Sequence, residues 1–341
     1  MKAAILVNSK KPLVIVDIDL PAKLKFGQVL VKISYSGICG SQINEIDAAK
    51  EPDKFLPHLL GHEGSGVVEK IGEGVTTVKE GDHVVLHWRK SSGVESVTPK
   101  YFWNGKKLNA GRITTFNEKA IVSENRLTVI PSNFDMRSAP LFGCAVTSGF
   151  GIVNNDAKIK IGQSVLIFGI GGIGLNVAQA ASMVSAHPIV GIDLQKHNID
   201  MGKKFGLTHG ITADSKNMNK EIFNIIGGKG ADVTVDTTGD TKIIEQAYEL
   251  TAANGKTILA GVPKNKITIY SLPLHFKKIL TGSHGGDSVP DVEIPRYIRL
   301  INEKKMTLDN MITHEFKLAE INSAIDLLRS GKAGRIVIKM N

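Results

Sequence analysis

The chain has 341 residues, 42% of them apolar and 22% charged, and carries a formal net charge of +9. This is an ordinary globular composition, long enough for two domains with ample core, and its two cysteines, Cys39 and Cys144, are too few for a disulfide framework. The opening Met-Lys-Ala-Ala-Ile-Leu-Val meets Asn8, Lys10 and Lys11 and is no signal peptide, and no later apolar run spans a bilayer. A cytoplasmic protein with no membrane partner is therefore expected. The basic residues are dispersed and accompany no nucleic-acid-binding motif, so no nucleic-acid partner is expected either.

The first 145 or so residues read as short strands and glycine-rich turns. Val29, Val31, Ile33 and Tyr35 alternate with Lys32, Ser34 and Ser36, and Gly61, Gly64, Gly66, Gly72, Gly74 and Gly81 punctuate the next stretch. A partly open β-barrel or a sandwich is predicted. Between Trp88 and Arg112, six basic residues (Arg89, Lys90, Lys100, Lys106, Lys107, Arg112) stand against the single acid Glu95. Such a stretch is either a solvated loop or a region that steers an anionic substrate.

From about residue 147 the rhythm becomes strand–helix alternation. Strands are expected near 164–168, 189–193, 209–212, 232–236, 256–261 and 278–282, which predicts a doubly wound parallel sheet. The first strand, Val165-Leu166-Ile167-Phe168, runs into Gly169-Ile170-Gly171-Gly172-Ile173-Gly174, and helix-period residues Ile173, Val177 and Val184 come after it. This is a dinucleotide fingerprint in its strand–turn–helix context. Gly169 permits the tight turn, Gly171 and Gly172 let a pyrophosphate approach, and Gly174 allows close helix packing. Asp193, ending the second strand, would bind the ribose hydroxyls of NAD and repel the 2′-phosphate of NADP, an effect that Lys196 and His197 would soften.

After about 285 the pattern shifts again, through Pro290 and Pro295 to an amphipathic helix over 297–302, a helix over 318–328 and a closing strand over 335–340. This tail is too short for a domain of its own. Residues 1–146 and 285–341 are expected to form one domain and 147–284 the other, inserted between them, with a cleft between the two lobes.

Cys39 ends a predicted strand, His62 and Glu63 lie in Gly61-His62-Glu63-Gly64, and Cys144 follows Gly143. Two thiolates and an imidazole would leave one position open on a tetrahedral zinc, the arrangement of a catalytic site. Spacing alone leaves open the alternative that these are unrelated buried residues.

At these residues the chain resembles the zinc-dependent medium-chain dehydrogenase/reductase family, the alcohol dehydrogenases. The resemblance is carried by Gly37–Ser41, Leu60–Gly81, Gly143–Gly149, Gly169–Gly174 and the end from Leu327 to Arg335. It implies a GroES-like, partly open β-barrel catalytic domain beside a Rossmann doubly wound sheet. It implies Cys39, His62 and Cys144 as zinc ligands, Glu63 as the acid that approaches the metal during ligand exchange, and Ser41 as the hydroxyl that passes on the alcohol proton. Ser148 matches a residue near the nicotinamide, Val262 one whose backbone meets the carboxamide, Arg335 a pyrophosphate ligand and Trp88 a wall of the substrate pocket.

Four departures from the family pattern stand out. The cysteine-rich lobe for a structural zinc is absent, so one zinc per chain is expected. Asn44 replaces a relay histidine, Gln42 an aspartate that supports the zinc-bound histidine, and Gly40 a basic pyrophosphate contact. The implied activity is hydride transfer between an alcohol (secondary, aromatic or polyol-type) and NAD, giving the aldehyde or ketone. The competing readings are a zinc-free quinone or enone reductase of the same fold and a non-catalytic NAD(H)-binding protein. A homodimer is expected, with a tetramer as the alternative, and Lys266–Tyr270 is a candidate edge strand for pairing.

Overall fold

A computed structural model describes residues 1–49, 52–215 and 217–340. Two compact units form, Met1–Cys144 together with the chain from Val289 onward, and Ala145–Ser288.

The first unit is built around the strand Gln28–Ile38. One edge of it pairs antiparallel with Glu63–Ile71. The other edge is shared: Lys119–Ser123 takes its first half and Arg335–Lys339 its second, a division that curls the sheet toward a barrel. His83–His87 and Leu127–Val129 extend one side, and Ile312–Lys317 the other. The predicted alternation holds through Ile33, with Val29, Val31 and Ile33 buried in the core and Lys32 exposed, and breaks after it: the register shifts between Ile33 and Tyr35, so that Tyr35 is half-buried and Ser36 is buried instead. A smaller sheet joins Val14–Asp17, Lys2–Leu6 and His58–Leu59. In the basic stretch, Tyr101–Trp103 and Lys106–Leu108 form a hairpin, because Asn104 and Gly105 both take positive φ (50° and 70°) as a two-residue turn requires.

The tail differs in detail from expectation. Its helix begins at Pro290, not at 297, since a proline at the first helical position lacks only an N–H that no helix would use. The next helix is a short 3-10 turn, Leu318–Glu320, running into Ile321–Arg329. Ile312–Lys317, absent from the predicted elements, is a strand whose residues are largely exposed and which pairs parallel to Arg335–Lys339.

In the second unit six parallel strands stand in the order His209–Thr212, Ile189–Asp193, Val165–Phe168, Ala231–Asp236, Thr251–Leu259, Ile279–Gly282. Numbered along the chain this is 3-2-1-4-5-6, the doubly wound order whose switch point lies between the first and fourth strands. Val165–Phe168 is buried at all four residues, as a central strand covered on both faces must be. Lys266–Tyr270 forms no strand. The backbone there is taken up by the helix Thr241–Glu249, whose Glu245 accepts the Thr268 N–H (2.7 Å) and whose Tyr248 hydroxyl donates to the Tyr270 carbonyl (3.0 Å). The edge strand on that side of the sheet is Ile279–Gly282, with His209–Thr212 at the opposite edge.

Candidate metal centre and nucleotide loop

Three neighbouring pieces of the first unit bring the sulfurs and imidazole together. Cys39 follows the central strand and precedes the helix Gly40–Ile46, so its extended backbone turns the chain. His62 immediately precedes Glu63–Ile71, the strand paired to the central one, and Cys144 closes the 3-10 turn Ala139–Gly143. The sulfurs of Cys39 and Cys144 lie 3.9 Å apart, and the three potential ligand atoms are all within 4.8 Å of one another. Two thiolates on a tetrahedral zinc with bonds of about 2.3 Å would stand about 3.8 Å apart, so the donor set fits that ion. Among the described residues no other cluster of this kind occurs.

The charges within the cluster are interdependent. The Cys144 thiol hydrogen-bonds to Cys39 and holds its pKa well below the ordinary thiol value, against the opposing effect of burial. Cys144 is correspondingly pushed well above that value, chiefly by the same hydrogen bond, with burial adding to it, so the titrations of the two sulfurs are linked. Burial depresses His62, but its hydrogen bond to the Cys39 sulfur prevails and the ring lies above its usual range.

Glu63 is closed to solvent, and burial raises its carboxyl although Arg335 opposes the shift. One of its oxygens accepts from the Arg335 guanidinium, and Oε2 has no hydrogen-bond partner. Its seat depends on two glycines. A Cβ on Gly37 would come within 2.7 Å of the Glu63 carboxyl carbon, and one on Gly143 within 2.8 Å of its Cβ. Arg335 is itself buried; desolvation works against its charge, but Glu63 and the two sulfurs more than offset this and raise its pKa.

Gln42, on the first turn of the helix after Cys39, is buried. Its Nε2 lies 3.0 Å from His62 Nδ1 and 3.0 Å from Glu45 Oε2, and its Oε1 accepts the Gly61 N–H. No sequence motif marks Glu45; the only signal that could have found it is its i, i+3 spacing from Gln42 on one helix. Ser41 is exposed and Asn44 half-buried. Trp88 is half-buried; Arg126 donates to its carbonyl, and the Arg89 guanidinium carbon lies 5.9 Å from its ring centroid. Of the six basic residues nearby, Arg112 pairs with Glu95, while Lys90, Lys100, Lys106 and Lys107 are exposed.

In the second unit the glycine loop has the geometry expected of it. Gly169 takes φ +86°, and a Cβ on Gly174 would come within 2.0 Å of the Gly169 carbonyl oxygen. A Cβ on Gly171 would point into open space, as a backbone surface that admits a ligand requires. Gly172 and Ile173 begin the helix Gly172–Met183, with N–H groups free of helical partners. Asp193 is held by three donors: Ile170 N–H to Oδ2 (2.7 Å), and Gln195 N–H (2.8 Å) and Asn198 Nδ2 (3.1 Å) to Oδ1. The acid is thus tied to the loop itself. Lys196 does not approach it and pairs instead with Asp200 at 3.0 Å. Ser148 is buried in the helix Ala145–Gly151, and Val262 is exposed beside Gly239, whose added Cβ would meet its backbone at 2.7 Å.

Comparisons with known proteins agree on the character of both units. A family model described as alcohol dehydrogenase GroES-like domain matches residues 25–132, and one described as zinc-binding dehydrogenase matches 172–303. The chain is 32% identical to an alcohol dehydrogenase class-3 of Cereibacter sphaeroides and 31% to an S-(hydroxymethyl)glutathione dehydrogenase of Escherichia coli, covering 99% of both partners in each case. Among solved structures it is similar in fold to benzyl alcohol dehydrogenase from Acinetobacter calcoaceticus, with a TM-score of 0.90 at 24% identity over 100% of this chain and 99% of that one.

Proposed function

Because the chain belongs to the zinc-type medium-chain alcohol dehydrogenase family, we propose that it exchanges hydride between an alcohol and NAD at one zinc ion held by Cys39, His62 and Cys144. The observation that carries this reading is the three-donor cluster with its 3.9 Å sulfur separation; three protein donors are the set that leaves a fourth tetrahedral position for a substrate oxygen. Bound there, zinc supplies a Lewis acid toward an alcohol or carbonyl oxygen.

The remaining roles belong to the chain's own groups. The exposed Ser41 hydroxyl hands the alcohol proton onward, since the Asn44 amide can donate and accept hydrogen bonds but cannot take up and release a proton near neutral pH. Glu63, with one oxygen held by Arg335 and the other unpartnered, is the acid able to swing toward the ion during ligand exchange. The N–H groups at Gly171, Gly172 and Ile173 receive the pyrophosphate, and Ser148 and the Val262 backbone attend the nicotinamide. Asp193, pre-oriented by three donors, selects the ribose of NAD, and Lys196, engaged by Asp200, does little to soften that choice.

Trp88 is proposed as a wall of the substrate pocket, braced by Arg126 and Arg89, which favours an aromatic, secondary or polyol-type alcohol. The exposed lysines nearby favour a hydroxylated or anionic one. With only two cysteines in the chain, both in the cluster, no structural zinc is proposed. No helix among the described residues is long and apolar enough to cross a membrane, and a cytoplasmic setting is proposed for the free thiols. A homodimer is proposed through the edge strand Ile279–Gly282, flanked by exposed Tyr270, Leu272 and Phe276, with a tetramer as the alternative.

The test is NADH formation by zinc-loaded protein across simple, aromatic and sugar-derived alcohols, with and without a chelator. Alcohol-dependent NADH formation that the chelator abolishes is expected. Reduction of a quinone or enone by metal-free protein, or no turnover with any alcohol, would overturn the proposal.

A further inference from the structure

The Gln42 amide has three partners, and two of them permit only one orientation. The Gly61 N–H can only donate, so it requires the amide oxygen; the Glu45 carboxylate can only accept, so it requires the amide nitrogen. Both N–H bonds of Nε2 are then assigned, one to Glu45 and the other to His62 Nδ1 at 3.0 Å. A ring nitrogen that receives an N–H carries no proton of its own. The neutral His62 ring therefore keeps its proton on Nε2, the nitrogen that Gln42 does not engage and that remains for the hydrogen bond to the Cys39 sulfur. That is the nitrogen a metal in this cluster must bond through its lone pair.

We propose that Glu45 and Gln42 act together as a tautomer latch on His62, in which Glu45 is a positioning residue that holds the amide nitrogen against Nδ1 and so disfavours the ring form that binds metal. To bind a metal through Nε2 the ring would have to carry its proton on Nδ1, with no net change in ring protonation, and the Nδ1–H and the Gln42 N–H would then face each other as two donors until the amide turned over. Turning it in place sets the amide nitrogen against the Gly61 N–H and the amide oxygen against Glu45, so the latch opposes loading from both sides. An aspartate at position 42 would accept from Nδ1–H and from Gly61 together, without this conflict. Gln42 is therefore more than a weakened support: it reverses the direction of the hydrogen bond on which the ligand depends. The latch rests on the metal-centre reading under Proposed function.

Two measurements test it, the first needing no metal. In metal-free protein with 15N-labelled histidine, the latch predicts that His62 is the Nε2–H tautomer, and that Gln42→Asp converts it to Nδ1–H. In chelator competition for zinc, Gln42→Asp is expected to bind about 10- to 100-fold more tightly than the parent, and Glu45→Ala to tighten binding by a smaller factor. The Nδ1–H tautomer in the metal-free parent, or affinity unchanged or weakened in Gln42→Asp, would overturn the latch. If zinc binding in the parent survives Cys39→Ser and Cys144→Ser together, the metal-centre reading itself fails, a result separate from either of these.

Discussion

Arg335 and Glu63 form an ion pair closed to solvent, joining the final strand of the first unit to the strand that begins beside His62. The Arg335 charge favours the thiolate form of both Cys39 and Cys144, although in Cys144 the hydrogen bond to Cys39 and burial prevail and its pKa stays raised. Removing one partner strands a buried charge. Arg335→Met is expected to cost about 3–5 kcal/mol of stability, read from urea denaturation of the metal-free protein. The double variant Arg335→Met/Glu63→Leu should recover much of the loss. A single variant as stable as the parent would show that the pair contributes nothing to folding.

One zinc per chain is expected from elemental analysis of the purified protein, falling to none in Cys144→Ser. A second tightly held equivalent in the parent would contradict the assignment of both cysteines to a single centre.

Asp193→Ser removes the charge proposed to select the adenosine ribose of NAD. The ratio of kcat/KM for NADP over NAD is expected to rise at least tenfold, about 1.4 kcal/mol of discrimination. Lys196→Ala, whose partner is Asp200, should leave that ratio within about twofold, a surface ion pair of this kind being worth little. A large change in the lysine variant would place its ammonium at the cofactor after all.

Burial lowers His87 to about 4. The neutral ring is fully engaged, with Nδ1 donating to the Arg89 carbonyl at 2.7 Å and Nε2 accepting from the Thr128 hydroxyl at 2.9 Å. An unfolded histidine titrates near 6.5. Between these values the unfolded chain binds the additional proton, so His87's contribution is fully present above about pH 6.5 and is lost as pH falls toward 4. The loss from this one group is of the order of 3 kcal/mol. His87→Gln should flatten the pH dependence of the urea midpoint across that window; an unchanged slope would assign the acid sensitivity elsewhere.

Trp88→Ala is expected to lower kcat/KM about tenfold or more for an aromatic alcohol while changing a small unbranched alcohol by less than about threefold, the ring contact being available only to the larger substrate. An equal change for both would remove Trp88 from the pocket wall.

Much of this protein was legible before folding. The six-strand rhythm after residue 147 and the glycine loop are local signals, each set by side-chain period or by a backbone conformation that glycine alone adopts freely, and the strands stand where that rhythm puts them. The alternation at Val29, Val31 and Ile33 likewise predicted which face is buried. The misplacements have local causes as well. Lys266–Tyr270 has strand-like alternation, but neighbouring side chains on the helix Thr241–Glu249 captured its backbone. The helix expected over 297–302 starts at Pro290, which takes a first-turn position where its missing N–H costs nothing.

The partnerships among polar groups lay beyond the sequence. Nothing in the order of residues indicates that Arg335 reaches Glu63, that Lys196 turns to Asp200 and away from Asp193, or that Glu45 holds Gln42 against His62. Hydrogen bonds and ion pairs act over about 3 Å and depend on angle, so they exist only once strands far apart in the chain are in register. By itself the sequence determined the kinds of chemistry this protein carries: a dinucleotide loop, an acid for a ribose, two thiols and an imidazole. Tertiary structure alone decided which nitrogen, oxygen and sulfur face one another, and through that the direction of each hydrogen bond behind the metal centre.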